Sequence, residues 1–181
     1  YSKMLKDSDL KKKIISSNDI NDPVTLADLK VNEIIIQRIK ENYKTINWEI
    51  LSEENVKTDH YPFDKNAEWI WVLDPLDGTK DFIQGTGNYA MHLALQYHNL
   101  PVIGVVLIPE KNELWITDST NVWCERRDGS RVKKNISPKK SLKAMTLVTS
   151  KNHKNYILKE LIHKISFKKV INMGSIGCKI A

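Results

Sequence analysis

Two carboxylates three residues apart, Asp74 and Asp77, lie in the run Asp74-Pro75-Leu76-Asp77-Gly78-Thr79, directly after the apolar stretch Trp69 to Leu73. Pro75 has no amide proton and cannot extend a hydrogen-bond ladder. The run therefore reads as a turn at a strand end, in which backbone carbonyls as well as carboxylates are free to act as ligands. Oxygen donors of this kind suit a hard cation such as Mg²⁺, whose usual partners are one or two carboxylates and a substrate phosphate. An ordinary acidic turn with capping aspartates is the competing explanation. A second acidic pair, Glu53-Glu54, follows the apolar run Trp48 to Leu51. Adjacent strands would bring Glu53 to the Asp74 and Asp77 edge, where clustered carboxylates repel unless a cation neutralises them. A solvent-exposed acidic loop is the alternative. Asp28 is the third acidic position, and on spacing alone it reads as a helix cap favoured by the helix dipole.

The elements that must position these residues are legible in the apolar pattern. Ala27, Val31, Ile34, Ile35 and Ile39 recur at helical spacing from Thr25 to about Lys40, with Thr25 and Asp28 as the capping pair at its start. Trp48 to Leu51 and Trp69 to Leu73 are strands that end at carboxylates. Tyr89 to Leu95, Val102 to Ile108, Leu114 to Thr117 and Asn121 to Arg126 are strand-like runs separated by turn residues, and Asp128-Gly129 signals a hairpin into Val132 to Ile136. This part reads as an antiparallel sheet. A polar, lysine-rich stretch then precedes strand Met145 to Thr149, helix Tyr156 to Lys164 and strand Phe167 to Asn172. The expected organisation is an N-terminal α+β domain over 1–139 carrying most of the metal site, and the beginning of an α/β domain over 140–181. Two strands and a helix can hardly bury both faces of a sheet, so the second unit is expected to be incomplete and the chain truncated.

Bulk composition narrows the field. Hydrophobic residues make up 41% and charged residues 28% of the 181, which suits a folded globular chain and excludes a disordered tail. The excess of 28 Lys and Arg over 22 Asp and Glu, a net +6, would suit any polyanion, from nucleic acid to a small phosphorylated metabolite. No apolar run approaches the roughly 18 residues needed to span a bilayer, and the N-terminal residues are too polar for a secretory signal; a cytoplasmic location is expected. The two cysteines, Cys124 and Cys178, are far apart and lack metal-site spacing, which argues against a disulfide framework or a zinc site.

Four ordered motifs carry a resemblance: Pro23-Val24-Thr25-Leu26-Ala27-Asp28, Leu51-Ser52-Glu53-Glu54, Trp71 through Asp74-Pro75-Leu76-Asp77-Gly78-Thr79-Lys80-Asp81-Phe82, and Gly174-Ser175-Ile176-Gly177-Cys178-Lys179. Together they resemble the inositol monophosphatase superfamily, closest to its 3'(2'),5'-bisphosphate nucleotidases of the CysQ type. The resemblance implies an αβαβα sugar-phosphatase-like layered α/β fold and a Mg²⁺-dependent phosphomonoester hydrolase. Glu53, Asp74 and Asp77 would be side-chain ligands of two or three Mg²⁺ ions and Leu76 a carbonyl ligand. Thr79 and Glu53 would orient the attacking water, and Asp28 would help position or deprotonate it, which sets aside the simple capping role. Asp77, Gly78 and Thr79 would lie against the substrate phosphate, with the amides of a following helix pointing at it.

The Thr-Lys-Asp-Phe continuation and Thr149-Ser150-Lys151-Asn152-His153 favour the nucleotidase branch, with Ser150 and His153 on the nucleotide and Ser175 and Lys179 near its second phosphate or sugar. The implied reaction converts 3'-phosphoadenosine 5'-phosphate to AMP and phosphate. Inositol phosphate and fructose 1,6-bisphosphate are the alternative substrates, and a basic nucleic-acid-binding module or an inactive truncated homologue the alternatives of another class. The partner is expected to be a small phosphorylated metabolite, with no nucleic acid and no membrane; homodimers are frequent in the superfamily. One departure stands out: a Trp-Asp pair that completes the family's metal site beyond the Gly-Ser-x-Gly-x-Lys turn is missing here, which predicts weakened metal binding and little activity.

Overall fold

A computed structural model describes residues 14–16, 24–56, 63–64, 66–151 and 156–181. His153 and Pro23, both singled out above, lie outside the described residues. Two short strands, β1 (Ile14–Ser16) and β2 (Val24–Thr25), pair antiparallel and lead into helix α1 (Leu26–Asn42). Thr25 caps that helix: its hydroxyl accepts from the Ala27 amide at 3.2 Å, and Asp28 Oδ2 accepts from the Thr25 amide at 2.9 Å. The reciprocal pair satisfies donors that a helix start otherwise leaves open.

Strand β3 (Trp48–Ser52) runs into a single helical turn, α2 (Glu53–Val56), and pairs in parallel with the longer β4 (Trp69–Asp77). A six-residue helix, α3 (Thr79–Gln84), follows the acidic turn. Four antiparallel hairpin steps then build β5 (Ala90–Tyr97), β6 (Leu100–Ile108), β7 (Glu113–Thr117), β8 (Val122–Arg126) and β9 (Arg131–Lys134). With β3 and β4 they form one seven-stranded sheet in sequential order. His98 and Asn99 both take positive φ, 47° and 63°, as a two-residue hairpin twisted to match its strands requires. Gly129, at φ 83°, serves the Asp128-Gly129 hairpin. A separate two-stranded parallel sheet contains β10 (Thr146–Ser150) and β11 (Lys169–Met173), joined by α4 (Tyr156–Lys164) and followed by α5 (Ile176–Ile180).

The seven-stranded sheet is covered on both faces near its β4–β5 end. Val31 of α1 packs with Leu73 and Met91 on one face, joined by Ile35, Ile36, Leu93 and Leu107. On the other, Cys178 of α5 packs with Ala90 and Ile108. Alternation along β5 sorts these contacts, odd positions to α1 and even positions to α5. Beyond α5 that second face forms an apolar groove of about 1210 Å³, with Leu51, Val72 and Ala94 in its floor and Glu53, Asp74 and His92 at one end.

Two local expectations change. Pro75 does not end the ladder: after an irregularity between Asp74 and Asp77 the strand resumes, Asp77 pairing with Ala90. The last strand stops at Lys134, and Ile136 is 98% exposed. Trp69 and Trp71 are half-buried and engaged by aromatic neighbours, Tyr97 at 4.4 Å and Tyr43 at 5.7 Å between ring centroids. Trp123 lies under Arg131 at 4.7 Å and Trp115 under Lys134 at 5.5 Å, so the chain's own cations cover these rings. None of these four rings is a free stacking platform for bases.

Candidate metal and phosphate site

Parallel pairing of β3 with β4 sets Ser52 opposite Leu73, and the next residues, Glu53 and Asp74, meet at the sheet edge. Their carboxyls are in hydrogen-bonding contact. Burial first, and then the Glu53 charge, push the Asp74 carboxyl up to about 7. At neutral pH the Asp74 carboxyl is therefore protonated for part of the time. The Asp74 Oδ1 atom also accepts from the Leu76 amide at 3.1 Å, which ties the turn together.

Asp77 is held differently. Its Oδ2 accepts from the Ser175 hydroxyl at 2.5 Å and the Gly177 amide at 3.1 Å, and lies 3.2 Å from His92 Nε2. Burial would raise this carboxyl, but these donors outweigh it and hold it below the ordinary aspartate value. The imidazole of His92 stands between both aspartates, with Nδ1 3.8 Å from Asp74 Oδ2. Its Nε2 is buried and makes no aligned hydrogen bond, so the contact with Asp77 is one of close approach, an ion pair when the imidazole is protonated. Burial opposes a charge on His92, yet the two aspartates raise its pKa. A β-carbon at Gly177 would lie 2.4 Å from that nitrogen, so glycine is what lets α5 approach.

The third group sits behind the turn. Asp28 is 3% exposed, and its carboxylate accepts from the Thr25 amide and hydroxyl and, at 3.1 Å, from the Thr79 hydroxyl. Burial raises its pKa, opposed by those same hydrogen bonds. Thr79 Oγ1 is also 3.0 Å from the Leu76 carbonyl; its one proton serves either acceptor. Asp28 thus caps α1 and also reaches the turn 51 residues away. Gly78 enables the turn: its φ is +90°, and a β-carbon there would lie 2.8 Å from the Asn88 carbonyl.

Glu53, Asp74, Leu76, Asp77, Gly78, Thr79, Asp28 and Ser175 are therefore gathered at one sheet edge. Ser150 ends β10, paired with Met173, and Lys179 is half-buried on α5. Two residues escaped the sequence reading. His92 lies opposite Asp74 in the β4–β5 register, and nothing in an apolar strand announces that. Asn32 is buried and bonded to both Ser52, at 2.5 Å, and Asn55, at 3.0 Å, anchoring the start of α2 beside Glu53. Its signal was available: Asn32 is one turn after Asp28, a polar residue on the buried stripe of α1.

Among the described residues no three His, Cys, Asp or Glu side chains converge as a finished metal cluster. The donor chemistry nevertheless fits a hard cation: two carboxyls in contact, a third carboxylate and a carbonyl, all oxygen. A cation bound there would oppose both causes that lift Asp74, its burial and the Glu53 charge beside it.

The layered mixed-sheet fold is shared with solved phosphatases. The fold matches a staphylococcal inositol monophosphatase-1 at a TM-score of 0.74, with 18% identity over 90% of this chain and 58% of that one. It matches an IMPase/NADP phosphatase, complexed with Mg²⁺ and phosphate, at 0.72, with 18% identity over 90% and 58%. The chain belongs to the inositol monophosphatase family, whose pattern it follows over residues 2–181. Curated relatives include the 3'(2'),5'-bisphosphate nucleotidase CysQ of Buchnera aphidicola subsp. Acyrthosiphon pisum, 33% identical over 89% of this chain and 58% of the relative. The protein of the same name from Escherichia coli K12 is 29% identical over 90% and 62%. The chain spans about three-fifths of the length of these relatives.

Proposed function

We propose that the whole protein is a Mg²⁺-dependent phosphomonoesterase that removes a phosphate from a 3'(2'),5'-bisphosphorylated nucleotide, converting 3'-phosphoadenosine 5'-phosphate to AMP. The observation that carries the metal reading is the Glu53–Asp74 carboxyl pair pressed together beside Asp77. The nucleotide reading rests on the relatives' activity by name.

In this reading Glu53, Asp74, Asp77 and the Leu76 carbonyl hold two or three Mg²⁺ ions, which supply positive charge for the phosphoryl oxygens and a more acidic water. Asp28 fixes the Thr79 hydroxyl, leaving oxygen lone pairs to accept from water, and its raised pKa makes it a better base than an exposed aspartate. The nucleophile is water, so the chain's main task is alignment. Asp77, Gly78 and Thr79 border the phosphate. Ser150, His153 and Lys179 are assigned to the nucleotide; Ser175, which donates to Asp77, steadies that carboxylate as well as bordering the substrate. The division into units 1–139 and 140–181, a cytoplasmic location and homodimerisation belong to the same proposal.

The test is phosphate release by the complete gene product, with and without Mg²⁺, from 3'-phosphoadenosine 5'-phosphate and from inositol 1-phosphate. Mg²⁺-dependent release from the nucleotide is expected, falling more than about a hundredfold in Glu53→Gln and in Asp77→Asn. Unchanged rates in both variants would reject the site. Faster turnover of inositol 1-phosphate would reject the nucleotide in favour of the substrate bound in one solved structure of this fold.

A further inference from the structure

Asp81 is a buried carboxylate, 2% exposed, to which the proposed reaction gives no task. An acid in the first turn of α3 is favoured by the helix dipole alone, but that explains neither its burial nor its contacts. Its Oδ1 accepts from the Thr86 hydroxyl at 2.5 Å and lies 3.6 Å from the Lys151 ammonium, just past the end of β10. Its Oδ2 occupies the space a side chain at position 174 would need: a β-carbon on Gly174 would lie 1.8 Å from it. The main chain at Lys151 is tied to the same region, its amide donating to the Met173 carbonyl at 3.1 Å. The carboxylate, carried on α3, thus touches the loop after that helix, the end of β10 and the turn after β11. That turn delivers Ser175 and Gly177, the donors that hold Asp77.

We propose that Asp81 is a positioning residue, a buried latch that seats the Gly174 turn so that Ser175 and Gly177 orient the Asp77 carboxylate. A buried carboxylate persists only where hydrogen bonds and a counter-charge satisfy it, and Thr86 and Lys151 supply both. Gly174 lets the backbone approach as closely as the latch requires. The side-chain contacts of Asp81 lead to Asp77 through the Gly174 turn, so its loss should loosen that turn selectively and leave the sheet beneath intact.

Amide hydrogen exchange reads this directly, without metal or substrate. In Asp81→Ala the amides of Gly177 and Cys178, which donate to Asp77 and to the Ser175 hydroxyl, are expected to exchange about tenfold faster, while those of Leu93 and Val105 in the β5–β6 ladder stay unchanged. Asp81→Asn, which keeps the shape and an acceptor for Thr86, should restore part of the protection. Should Asp81→Ala fail to fold, Lys151→Met, altered at a half-exposed side chain, is expected to show the same local pattern at about threefold. Unchanged protection at 177 and 178, or equal loss there and in the ladder, would overturn the latch. A second measurement rests on reading Asp77 as a cation ligand: Mn²⁺ affinity should fall roughly tenfold in Asp81→Ala. Wild-type protein that binds no Mn²⁺ would overturn the metal reading of Asp77, while the exchange pattern would still decide the latch.

Discussion

Asp74, Asp77 and His92 lie within a few ångströms of one another and are pulled in different directions. Asp74 loses water and faces Glu53, so its carboxyl rises from 3.8 to about 7. Asp77 collects donors and falls, and His92, set between the two aspartates, rises. A group whose pKa is higher folded than unfolded binds its proton more tightly in the folded state, so its stabilisation is full at low pH and is lost as pH rises through the folded value. Asp74 loses it between about 4 and 7, and His92 at and above its ordinary 6.5. Asp77 acts oppositely but only at acid pH, where its depressed pKa is reached. The metal-free chain is therefore expected to melt at higher temperature at pH 5.5 than at pH 8. After discounting for partial exposure the Asp74 contribution is on the order of 1 kcal/mol, or ~2–4 °C in Tm. Asp74→Asn should remove much of that difference, and Mg²⁺ should raise Tm most at pH 8, where the ligands are deprotonated. Melts followed by circular dichroism that are flat from pH 5.5 to 8 would show that Asp74 ionises normally.

Helix α1 does two things through one end. Its apolar stripe packs on the sheet through Val31, Ile35 and Ile36, and its N-terminal turn offers Asp28 to Thr79. Thr25 connects these tasks, since it caps the helix and donates to Asp28. Thr25→Ala is expected to destabilise the chain by about 1–2 kcal/mol, the range for a lost cap, whereas Thr25→Ser, which keeps the hydroxyl, should stay within about 0.5 kcal/mol. Urea unfolding of both variants measures this; equal losses would show that the threonine methyl, not its hydroxyl, is what matters. Strand β4 shows the complementary device. Pro75 interrupts the ladder for two residues and the strand then resumes at Asp77, a local irregularity that aims a side chain as bulges do. Asp74 and Asp77 are thereby placed on one edge from a single strand.

Across the molecule, burial is uneven. The seven-stranded sheet holds most of the core, whereas β10, β11 and α4 pair mainly among themselves. Among their described residues Thr149 alone is buried, α4 buries none, and its Tyr156 and Ile157 are each 74% exposed. Regions with little buried apolar surface open at low free energy. Amides of Leu147, Val148 and Ile171 are expected to exchange at least about tenfold faster than those of Leu93 and Val105. Equal protection in the two sheets would mean that they unfold as one unit. α5 is the contrasting case, a short helix held to the large sheet by Cys178 and Gly177. The link between the two sheets thus runs through the turn that also serves Asp77.

Much of this was already written along the chain. Periodicities of 3.6 and 2 depend on near neighbours, so α1, the strands from β3 to β8 and the Asp128-Gly129 hairpin follow from local pattern, and four motifs were enough to recognise the family. Glu53 was placed beside Asp74 because both end apolar runs, and the parallel register of Ser52 with Leu73 bears that out. What the chain could not state was which distant residues share an edge. His92 meets Asp74 only because of the β4–β5 register, Ser175 reaches Asp77 across 98 residues, and Asp81 meets Gly174 and Lys151 only where the ends of β10 and β11 pack beside α3. Nor could it reveal that Asp28 both caps and catches Thr79, since capping is a contact of three residues and the other of 51. Local conformation is encoded by neighbouring side chains; the charge environment of a carboxylate is decided by whatever tertiary packing brings against it.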